Sequence, residues 1–437
     1  LTHSSGVADR SPTWSPDGSS IAWFNDSTGE YGLVISRSDG SRSRRIEFPS
    51  PSFYFQPQWS PDSKKLAFTD AQRRVLLMNV ESGEVTQIDT DRIAHPALSI
   101  DPAWSPDSRW FSYVRSLDNR FRAVFVFDTE SGDSHQLTDS TVDASTPVWD
   151  ESGKYLYFLA SASDGLHTAW NSMDRLDYPE NRALYVALLG ADEPSPFLPR
   201  SDEEEGASDG GTAEEEKAAS DDSADEVATP DVTVDPQGIA GRIIAVPGLA
   251  TKEYAGLVAG PKGTVFVREA GGDESPEKVL KYSLEERKSN VFIESAEAVT
   301  TSHDRKQLLY RSGSNWSIVS TEEPPKGDAG RLKLDGMSVR VEPKAEYRQM
   351  LREGWRFMRD FLYVDNQHGA PWDDIWTWYS EWLPDVGHRS DFNRLLDMLS
   401  GEIAVGHSWV LGGGLSRSSG SEHRSSRHRP GGAGRIL

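Results

Sequence analysis

The 437-residue chain contains no cysteine, which excludes disulfide bonds, thiolate metal sites and cysteine nucleophiles. It also contains no uncharged apolar run long enough to span a membrane, so no membrane partner is predicted. Basic residues are outnumbered by acidic ones, and the formal net charge of −23 argues against nucleic acid as a partner. No metal or nucleotide motif is recognisable, so neither a cofactor nor a metal site is predicted.

The first ten residues, LTHSSGVADR, lack the basic and apolar regions of a secretory signal peptide. The absence of cysteine is compatible with a reducing compartment, and together these features favour the cytoplasm. Export stays open, because a signal would be invisible if the sequence began inside a longer protein. The oligomeric state also stays open, and a homo-oligomer is one of the states the sequence allows.

Four segments in the first 160 residues align without gaps: PTWSPDGSSIAWF, PQWSPDSKKLAFT, PAWSPDSRWFSYV and PVWDESGKYLYFL. Their tryptophans, Trp14, Trp59, Trp104 and Trp149, follow one another at intervals of 45 residues. Such a period is typical of the four-stranded blades of a β-propeller. A β-sandwich with the same spacing by coincidence is the alternative, and four identical spacings with one shared turn argue against it.

Each repeat predicts the same succession of strands. The Pro-x-Trp segment forms a strand with its tryptophan buried, and the Ser-Pro-Asp segment turns the chain, because proline fixes φ and aspartate bonds its own backbone. An apolar strand returns at residues 21–24, and a third strand follows, as at residues 75–80. A hairpin turn such as residues 81–84 then leads into the fourth strand. We therefore interpret the repeated tryptophans and aspartates as packing and turn residues.

Weaker copies of the repeat return at residues 259–269 and 302–312. We count six units up to about residue 336, and a seventh blade is either divided between the two ends of this region or absent. The sequence therefore predicts a mainly β fold, with a β-propeller of six to seven blades over residues 1–336. It also predicts a disordered acidic insertion at about 201–235, since residues 201–226 hold 12 acidic residues and one lysine.

From Pro343 the apolar period changes from two to 3.6, which indicates helices. Apolar stripes cover residues 347–362 and 372–383, and their tryptophans are interpreted as core residues. A third helix is predicted to begin with Ser390 and Asp391 as caps. Its apolar residues are spaced i, i+3, i+4 and i+7: Phe392, Leu395, Leu396 and Leu399. Residues 337–414 are therefore predicted to form a small α-helical subdomain.

The segments EYRQMLREGWRFMRDFLYVDNQHGAPWDDI and SGEIAVGHSWV, with the third helix between them, resemble the first catalytic subdomain of tricorn-type serine peptidases. These peptidases belong to the carboxy-terminal-processing-protease group. A propeller followed directly by this module is the tricorn order, so the resemblance covers about residues 1–414. The WSPDG-type repeat is similar to that of TolB and of prolyl-oligopeptidase relatives as well, and it says little about function.

The resemblance implies a catalytic role for His407. In the family, the histidine of this Gly-His step is the general base that takes the proton of the nucleophilic serine, a task that suits an imidazole. Tricorn members commonly carry a serine just before this histidine, whereas this chain has Gly406 there and Ser408 on the other side. The group that orients His407 therefore stays open. His368 and His388 lie in predicted loops and are interpreted as structural or surface residues.

The resemblance further implies a serine peptidase that cleaves oligopeptides or unfolded proteins, with the propeller as a substrate filter. In the family, the nucleophile and the charge-relay glutamate follow a PDZ-like domain, beyond the last residue of this chain. We therefore expect the chain to be a fragment that is inactive alone. The alternative is a TolB-like propeller that acts as a protein-interaction scaffold. A prolyl-oligopeptidase relative would need an α/β-hydrolase domain, which does not follow the propeller here.

Residues 415–437 are basic, rich in serine and glycine, and without apolar periodicity. A nucleic-acid-binding arm is one interpretation of such a segment. A shifted reading frame or a truncated gene model is the favoured interpretation, because the family pattern would continue smoothly at this point. We therefore expect this tail to be aberrant.

Overall fold

The structure is a computed structural model. It describes residues 2, 4–92, 100–162, 180–199, 229–272, 276–338, 340–406 and 408–412. Within these ranges, 23 strands in five sheets precede three α-helices. The chain divides into two compact units, one made of residues 1–57, 67–87 and 336–437, the other of residues 58–66 and 88–335.

Three four-stranded sheets follow the sequence repeat, and in each of them consecutive strands lie side by side. The first sheet contains β1 (Asp9–Trp14), β2 (Ser20–Asn25), β3 (Gly32–Arg37) and β4 (Arg44–Ile46). The second contains β5 (Tyr54–Trp59), β6 (Lys65–Asp70), β7 (Arg74–Asn79) and β8 (Val85–Thr90). The third contains β9 (Ala103–Trp104), β10 (Trp110–Ser116), β11 (Arg122–Asp128) and β12 (Ser134–Gln136). Each sheet is a meander of the kind that forms a propeller blade.

An eight-stranded sheet follows, with the order β13-β14-β15-β17-β18-β19-β20 and with β16 paired to β15. Its strands are β13 (Asp143–Trp149), β14 (Tyr155–Ser161), β15 (Asn181–Leu188), β16 (Ile243–Ala245), β17 (Lys252–Ala259), β18 (Thr264–Glu269), β19 (Lys278–Ser283) and β20 (Lys288–Ile293). The last sheet contains β21 (Ala298–Thr301), β22 (Gln307–Ser312) and β23 (Asn315–Ser320). The weaker sequence copies thus form the same kind of strand pairs as the strong ones.

One serine and one aspartate build the turn between the first two strands of a repeat. Ser15 Oγ donates to Asp17 Oδ1 at 2.5 Å and accepts the backbone N–H of Ser20 at 2.9 Å. Asp17 Oδ1 also accepts the N–H of Ser19 at 3.0 Å. The same contacts recur in the second repeat and around Ser302. The prediction that the repeated aspartate is a turn residue is confirmed, because its carboxylate closes the hairpin.

Each of the first four repeats contains a backbone irregularity that the sequence period did not predict. The residue three positions before the tryptophan has a positive φ, between 47° and 51° at Ser11, Asp101 and Thr146 and 52° at Gln56. The β1–β2 and β13–β14 registers shift at this point, which identifies a β-bulge. A β-branched residue rarely adopts this conformation. At Thr146 the backbone N–H donates to Asp101 Oδ2 at 2.9 Å, which stabilises the bulge.

Three of the four repeated tryptophans are buried as predicted, namely Trp59, Trp104 and Trp149. Trp104 and Trp149 each donate their indole N–H to a backbone carbonyl 46 residues earlier. Trp14 is different, because its side chain is 60% exposed and its indole makes no hydrogen bond among the described residues. The prediction of burial was therefore wrong for Trp14, where no described carbonyl takes the equivalent place.

The acidic insertion expected at about 201–235 lies outside the described residues as far as position 228. Its last part is ordered, since Val232 and Val234 are buried in an apolar core that also contains Trp110. Trp110 Nε1 donates to the carbonyl of Val232 at 3.1 Å, and Asp107 accepts the N–H of Val232 at 3.1 Å. The insertion thus ends sooner than predicted, because alternating valines after the acidic run can bury one face.

The helices are α1 (Pro343–Phe361), α2 (Trp372–Ser380) and α3 (Arg389–Gly401). Proline suits the first position of α1, because the N–H that it lacks has no partner at a helix start. Short 3-10 turns occur at Ile239–Arg242, Gln367–Gly369 and Leu383–Asp385. In the part of the chain that the structure describes, no helix has the length and apolar character needed to cross a membrane.

The start of α3 differs from the prediction. His388 is the N-cap, and its Nδ1 accepts the backbone N–H of Ser390 at 3.2 Å. Asp391 returns the contact by accepting the N–H of His388 at 3.0 Å, which completes a capping box. Serine and aspartate rank among the preferred caps, which is why Ser390 and Asp391 were predicted there. Asp391 does take part in the cap, because its carboxylate accepts the backbone N–H of the N-cap residue His388, but it is not itself the N-cap.

Candidate functional site

The three helices enclose an apolar core made largely of the faces that the sequence predicted. The prediction was wrong for Phe361, which is 37% exposed and packs on Phe53 instead. Trp355 on α1 and Trp372 on α2 each donate the indole N–H to the other's backbone carbonyl, at 2.7 and 3.1 Å. Gly354 allows α1 and α3 to approach closely, since a Cβ there would lie 2.4 Å from a methyl carbon of Leu396. The apolar residues of α3 are all buried: Phe392, Leu395, Leu396 and Leu399. Their predicted place in the core is confirmed.

His407, the residue predicted to act as general base, lies outside the described residues. The segments on both sides of it are attached to the helical core. Ile403 is buried in that core, and Val405 and Val410 pack against it. Beyond Val410, the carbonyl of Gly412 accepts a hydrogen bond from Asn393 Nδ2 at 3.0 Å. The positions before and after 407 are therefore anchored by α3 and its neighbours.

The two residues next to His407 differ in their surroundings. A Cβ placed on Gly406 would meet no atom within 4 Å, so the space there is open. Ser408 Oγ is buried and has no hydrogen-bond partner among the described residues. A buried hydroxyl without a partner is costly, and such groups occur at functional positions. Ser408 directly follows His407 in the sequence, so this unpartnered hydroxyl is a candidate for the group that orients the predicted base.

The other two histidines of this region have structural surroundings, as the sequence indicated. His368 has a φ of 58° in the 3-10 turn Gln367–Gly369, and its ring meets the edge of Tyr363 at 5.3 Å. His388 caps α3. His388 Nδ1 also lies 2.9 Å from Ser390 Oγ within this cap. The catalytic role of His407 stays a prediction. In the described residues, no group of three His, Asp or Glu side chains could hold a metal ion.

A buried arginine joins α1 to the turn between β2 and β3. Arg356 is fully buried, and its Nη2 donates to Asp26 Oδ2 at 2.6 Å. Its Nη1 donates to the carbonyl of Gly29 at 2.8 Å, and the guanidinium lies 4.6 Å from the ring centre of Tyr31. Asp26 is held in turn by the N–H of Ala8, which donates to Oδ1 at 2.7 Å. Several hydrogen bonds thus offset the burial of the charged pair, while Arg356 Nε is buried without a hydrogen-bond partner among the described residues.

A second ion pair lies beside the first and is partly exposed. Arg359 binds both carboxylate oxygens of Glu30, at 2.8 Å each. Although burial opposes the charged form, hydrogen bonds to Glu30 and Asp360 raise the pKa of Arg359. Burial likewise raises the pKa of Asp360, against the effect of Arg359. Arg352 completes the group through Glu30 at 3.4 Å, with its guanidinium 4.1 Å from the ring centre of Trp355.

The sequence did not reveal this contact between α1 and the first sheet. Its arginines are spaced i, i+4 and i+7 along α1, at positions 352, 356 and 359, and the two acids are spaced i, i+4 at positions 26 and 30. On a helix such as α1, this spacing is a signal that the three arginines share one face. The two acids lie in a turn, where the same spacing carries no such signal. Nothing in the sequence pairs the two sets, because more than 300 residues separate them. Only the folded chain brings them together.

A groove between α2 and α3 has a volume of about 430 Å³. Trp378 and Trp382 on its wall are 50% and 62% exposed, and Trp409 is 49% exposed. The prediction that the tryptophans of the helical region form the core was therefore wrong for these three. Trp378 is not among the buried residues of α2, which are Trp372 and Ile375, and Trp382 follows the end of that helix. The remaining groove residues include Tyr379, Asp385, Arg394, Leu395 and Met398.

The meanders and helices define a mainly β protein in which a β-propeller precedes a small helical region. The family model described as the tricorn protease second beta propeller domain matches residues 1–322. The model described as the tricorn protease C1 domain matches residues 343–401. The chain belongs to the tricorn protease family. The C1 match ends before Gly406 and His407.

Related proteins agree with this assignment. The chain is 26% identical to tricorn protease homolog 1 of Streptomyces coelicolor over 282 residues, which cover 61% of this chain and 25% of that protein. It is 23% identical to the tricorn protease homolog of Saccharolobus solfataricus over 277 residues, 60% of this chain and 23% of that protein. The chain thus spans about a quarter of the length of these curated relatives.

The crystal structure of the tricorn protease matches 93% of this chain and 38% of its own, with a TM-score of 0.72 and 18% sequence identity. At this identity the likeness shows the fold alone.

Proposed function

We propose that the chain is the propeller and first catalytic subdomain of a tricorn-like serine peptidase, which hydrolyses peptide bonds in oligopeptides or unfolded proteins. The observation that carries this proposal is the succession of two tricorn domain matches, 1–322 and 343–401, along one chain. The helical core supports it, because its buried residues are the ones on which the sequence resemblance rests.

In the proposed mechanism His407 is the general base. Its imidazole accepts the proton of a serine hydroxyl as the serine oxygen attacks the scissile carbonyl, and later returns the proton to the leaving amine. We propose that the serine and the acid that completes the set come from a further part of a longer polypeptide, because the chain spans about a quarter of the length of its curated relatives. The anchoring of Ile403, Val405 and Val410 in the helical core supports the role of His407, since a base must be held in place to be effective.

We further propose a propeller of six to seven blades over residues 1–336 and a helical subdomain over 337–414. The eight-stranded sheet supports six blades, because it consists of two meanders, β13–β16 and β17–β20, joined by the β15–β17 pair. The last sheet has a rudimentary fourth strand, since Ile318 N–H donates to Gly330 O at 2.9 Å and Leu332 N–H to Trp316 O at 2.8 Å. A seventh blade is divided between the ends of this region or absent.

The propeller is proposed to admit or filter peptide substrates, in a cytoplasmic protein that binds neither nucleic acid nor membranes. A homo-oligomer is compatible with this role. Residues 415–437, which lie outside the described residues, are proposed to be an aberrant tail. The acidic insertion is proposed to be a solvated loop that begins near residue 201.

The gene itself provides the first test. The DNA after the codon for Gly414 is read in all three frames, and we expect a PDZ-like region followed by a Gly-Ser nucleophile motif in one of them. Stop codons in every frame would instead favour the TolB-like interaction scaffold, in which the helical subdomain serves as a docking appendage.

The second test is turnover of fluorogenic peptides by the complete polypeptide and by the 437-residue chain. We expect activity only in the complete polypeptide, lost in His407→Ala and retained in the loop variant His368→Asn. Turnover by the 437-residue chain, abolished by His407→Ala, would show that the nucleophile lies within it and would contradict this part of the proposal.

A further inference from the structure

We propose that Arg356 is a positioning residue, which fixes the orientation of the helical subdomain on the turn between β2 and β3. Its two Nη atoms reach two different acceptors in that turn, the carboxylate of Asp26 and the carbonyl of Gly29. The catalytic consequence rests on the proposed function: the contact also steadies the helical core, against which Val405 and Val410 pack on either side of the predicted base. The structural part of the proposal does not depend on it.

The contacts of Arg356 determine the orientation of its guanidinium group, in addition to attracting α1 to the turn. A guanidinium is planar and holds its donors in a rigid fork, so two acceptors and a stacked ring determine how it lies. Arg356 has all three, with Tyr31 as the ring. The neighbouring Arg359–Glu30 pair is partly exposed and adds attraction. Complete burial makes Arg356 the residue that cannot shift without leaving a charge unpaired.

Helix α1 links this contact to the helical core, because it presents residues to both sides. Trp355 lies in the helical core, whereas the next residue, Arg356, contacts the first sheet. A rotation of α1 that broke the Arg356 contacts would therefore displace Trp355. Trp355 is tied to Trp372 by the two reciprocal hydrogen bonds, so the displacement would reach α2. The turn at residues 26–31 and the helical core are thus coupled through one rigid helix.

Aromatic contacts support the same arrangement. Phe357 and Phe361 on α1 pack on Phe53, with ring centres 6.1 and 5.4 Å away. Aromatic pairs prefer stacked or edge-to-face geometries but accept ring-centre distances from about 4.5 to 7 Å, so they define the position of α1 less sharply than short hydrogen bonds do. The buried hydrogen bonds of Arg356 remove the remaining freedom.

The test uses hydrogen exchange on the 437-residue chain. In Arg356→Met we expect the amides of α1 and of residues 26–31 to exchange ~100-fold faster together, since one side of a buried ion pair is removed. Arg356→Lys keeps the charge but not the fork, and about tenfold faster exchange in the same two segments is expected from the loss of one charge-assisted hydrogen bond. Arg340→Lys is the matched control, because Arg340 is 89% exposed, and it should exchange like the wild-type chain.

A double variant separates the effect of the lost hydrogen bonds on the orientation of α1 from the effect of an unpaired buried charge on stability. Asp26→Asn with Arg356→Met leaves no unpaired buried charge, so thermal stability should recover in large part. Exchange in α1 and residues 26–31 should stay about tenfold faster than in the wild-type chain, because the fork to Gly29 is still missing. Wild-type exchange in the double variant or in Arg356→Lys would overturn the proposal.

The catalytic consequence is tested in the complete polypeptide. Arg356→Lys should lower kcat about tenfold and leave KM unchanged, because a misplaced base slows chemistry without removing substrate contacts. Unchanged kcat together with faster exchange would overturn the catalytic consequence and leave Arg356 as a residue that positions α1 alone. Absence of activity in the wild-type polypeptide would contradict the proposed function, whereas the exchange experiment would still decide how α1 is held.

Discussion

Trp355 and Trp372 hold α1 and α2 together by donating to each other's backbone carbonyls, with their rings stacked 6.2 Å apart. Trp372 is the first residue of α2 and follows Pro371. The indole of Trp355 therefore reaches the start of one helix from the middle of another. Both tryptophans belong to the same apolar core as the buried residues of α3.

The first prediction concerns this pair. Trp372→Phe keeps an aromatic ring but removes a donor, and we expect a loss of about 1–2 kcal/mol in the free energy of unfolding. Trp372→Ala should cost about 3–5 kcal/mol, because it leaves a cavity. Urea unfolding followed by circular dichroism measures both. The control is Trp382→Phe on the groove wall, expected within about 0.5 kcal/mol of the wild type. Equal losses in Trp372→Phe and Trp382→Phe would contradict the importance of the hydrogen bonds.

The second prediction concerns the start of α3. His388→Ala removes the side-chain acceptor of the cap and should lower the free energy of unfolding by about 1 kcal/mol. His388→Asn supplies an oxygen in its place and should lose much less. Thermal unfolding of the three proteins at neutral pH tests this. If alanine and asparagine behaved alike, the cap geometry at His388 would not contribute to stability.

The third prediction is a pH dependence that arises from Asp143 at the start of β13. This carboxylate is buried between two arginines, with Arg122 Nη2 at 2.6 Å and Arg182 Nη2 at 2.8 Å, and Glu180 lies at the edge of the group. Burial alone would raise the pKa of Asp143, but the hydrogen bonds and charge of Arg122, with the charge of Arg182, lower it below the usual value. A lowered pKa contributes stability above the pKa of the unfolded chain and loses it as the pH falls through the folded value.

We therefore expect the wild-type chain to lose stability as the pH falls below about 4, the ordinary aspartate range. Asp143→Asn should be less stable at neutral pH by about 3–5 kcal/mol, since it leaves the arginines without their partner. The difference between the two proteins should narrow as the pH falls, because wild-type Asp143 becomes protonated. Denaturant unfolding at pH 7, 5 and 3 measures it, and a constant difference across this series would be inconsistent with the ion cluster.

The fourth prediction concerns the residue before His407. Gly406→Ser should leave the free energy of unfolding within about 0.5 kcal/mol of the wild type, because the added side chain meets open space. Tricorn-type peptidases commonly have serine there, so we expect this variant to raise turnover in the complete polypeptide. Ser408→Ala is the companion variant. If it lowered turnover while Gly406→Ser had no effect, Ser408 would be the residue that orients His407.

Much of the propeller was predictable because its information is local. The Ser-Pro-Asp turn closes through contacts within five residues, as at Ser15 and Asp17. The residues that form each turn are therefore contained in the repeat itself. The helical core was predictable for a similar reason, since the spacing of Phe392, Leu395, Leu396 and Leu399 reports one buried face. The family followed from the same residues and is confirmed by the domain matches.

The predictions that were wrong concern mainly side chains whose burial depends on a partner far away in the sequence. Trp14 and Trp382 have the same residue type as their buried counterparts, but a tryptophan is covered only if another element lies against it. The cap of α3 was misplaced because residue preference ranks serine and aspartate above histidine. The ordered valines after the acidic run were missed because their core, around Trp110, comes from a segment more than 100 residues earlier.

The sequence by itself determined the repeated strands, the helical faces and the family, because periodicity and turn chemistry act over a few residues. It also singled out His407, whose catalytic role stays a prediction. Only the tertiary structure decided how α1 is held, through the burial of Arg356 against Asp26. Sequence spacing shows which side chains share a face, but an ion pair across more than 300 residues exists only once folding has excluded water from both partners.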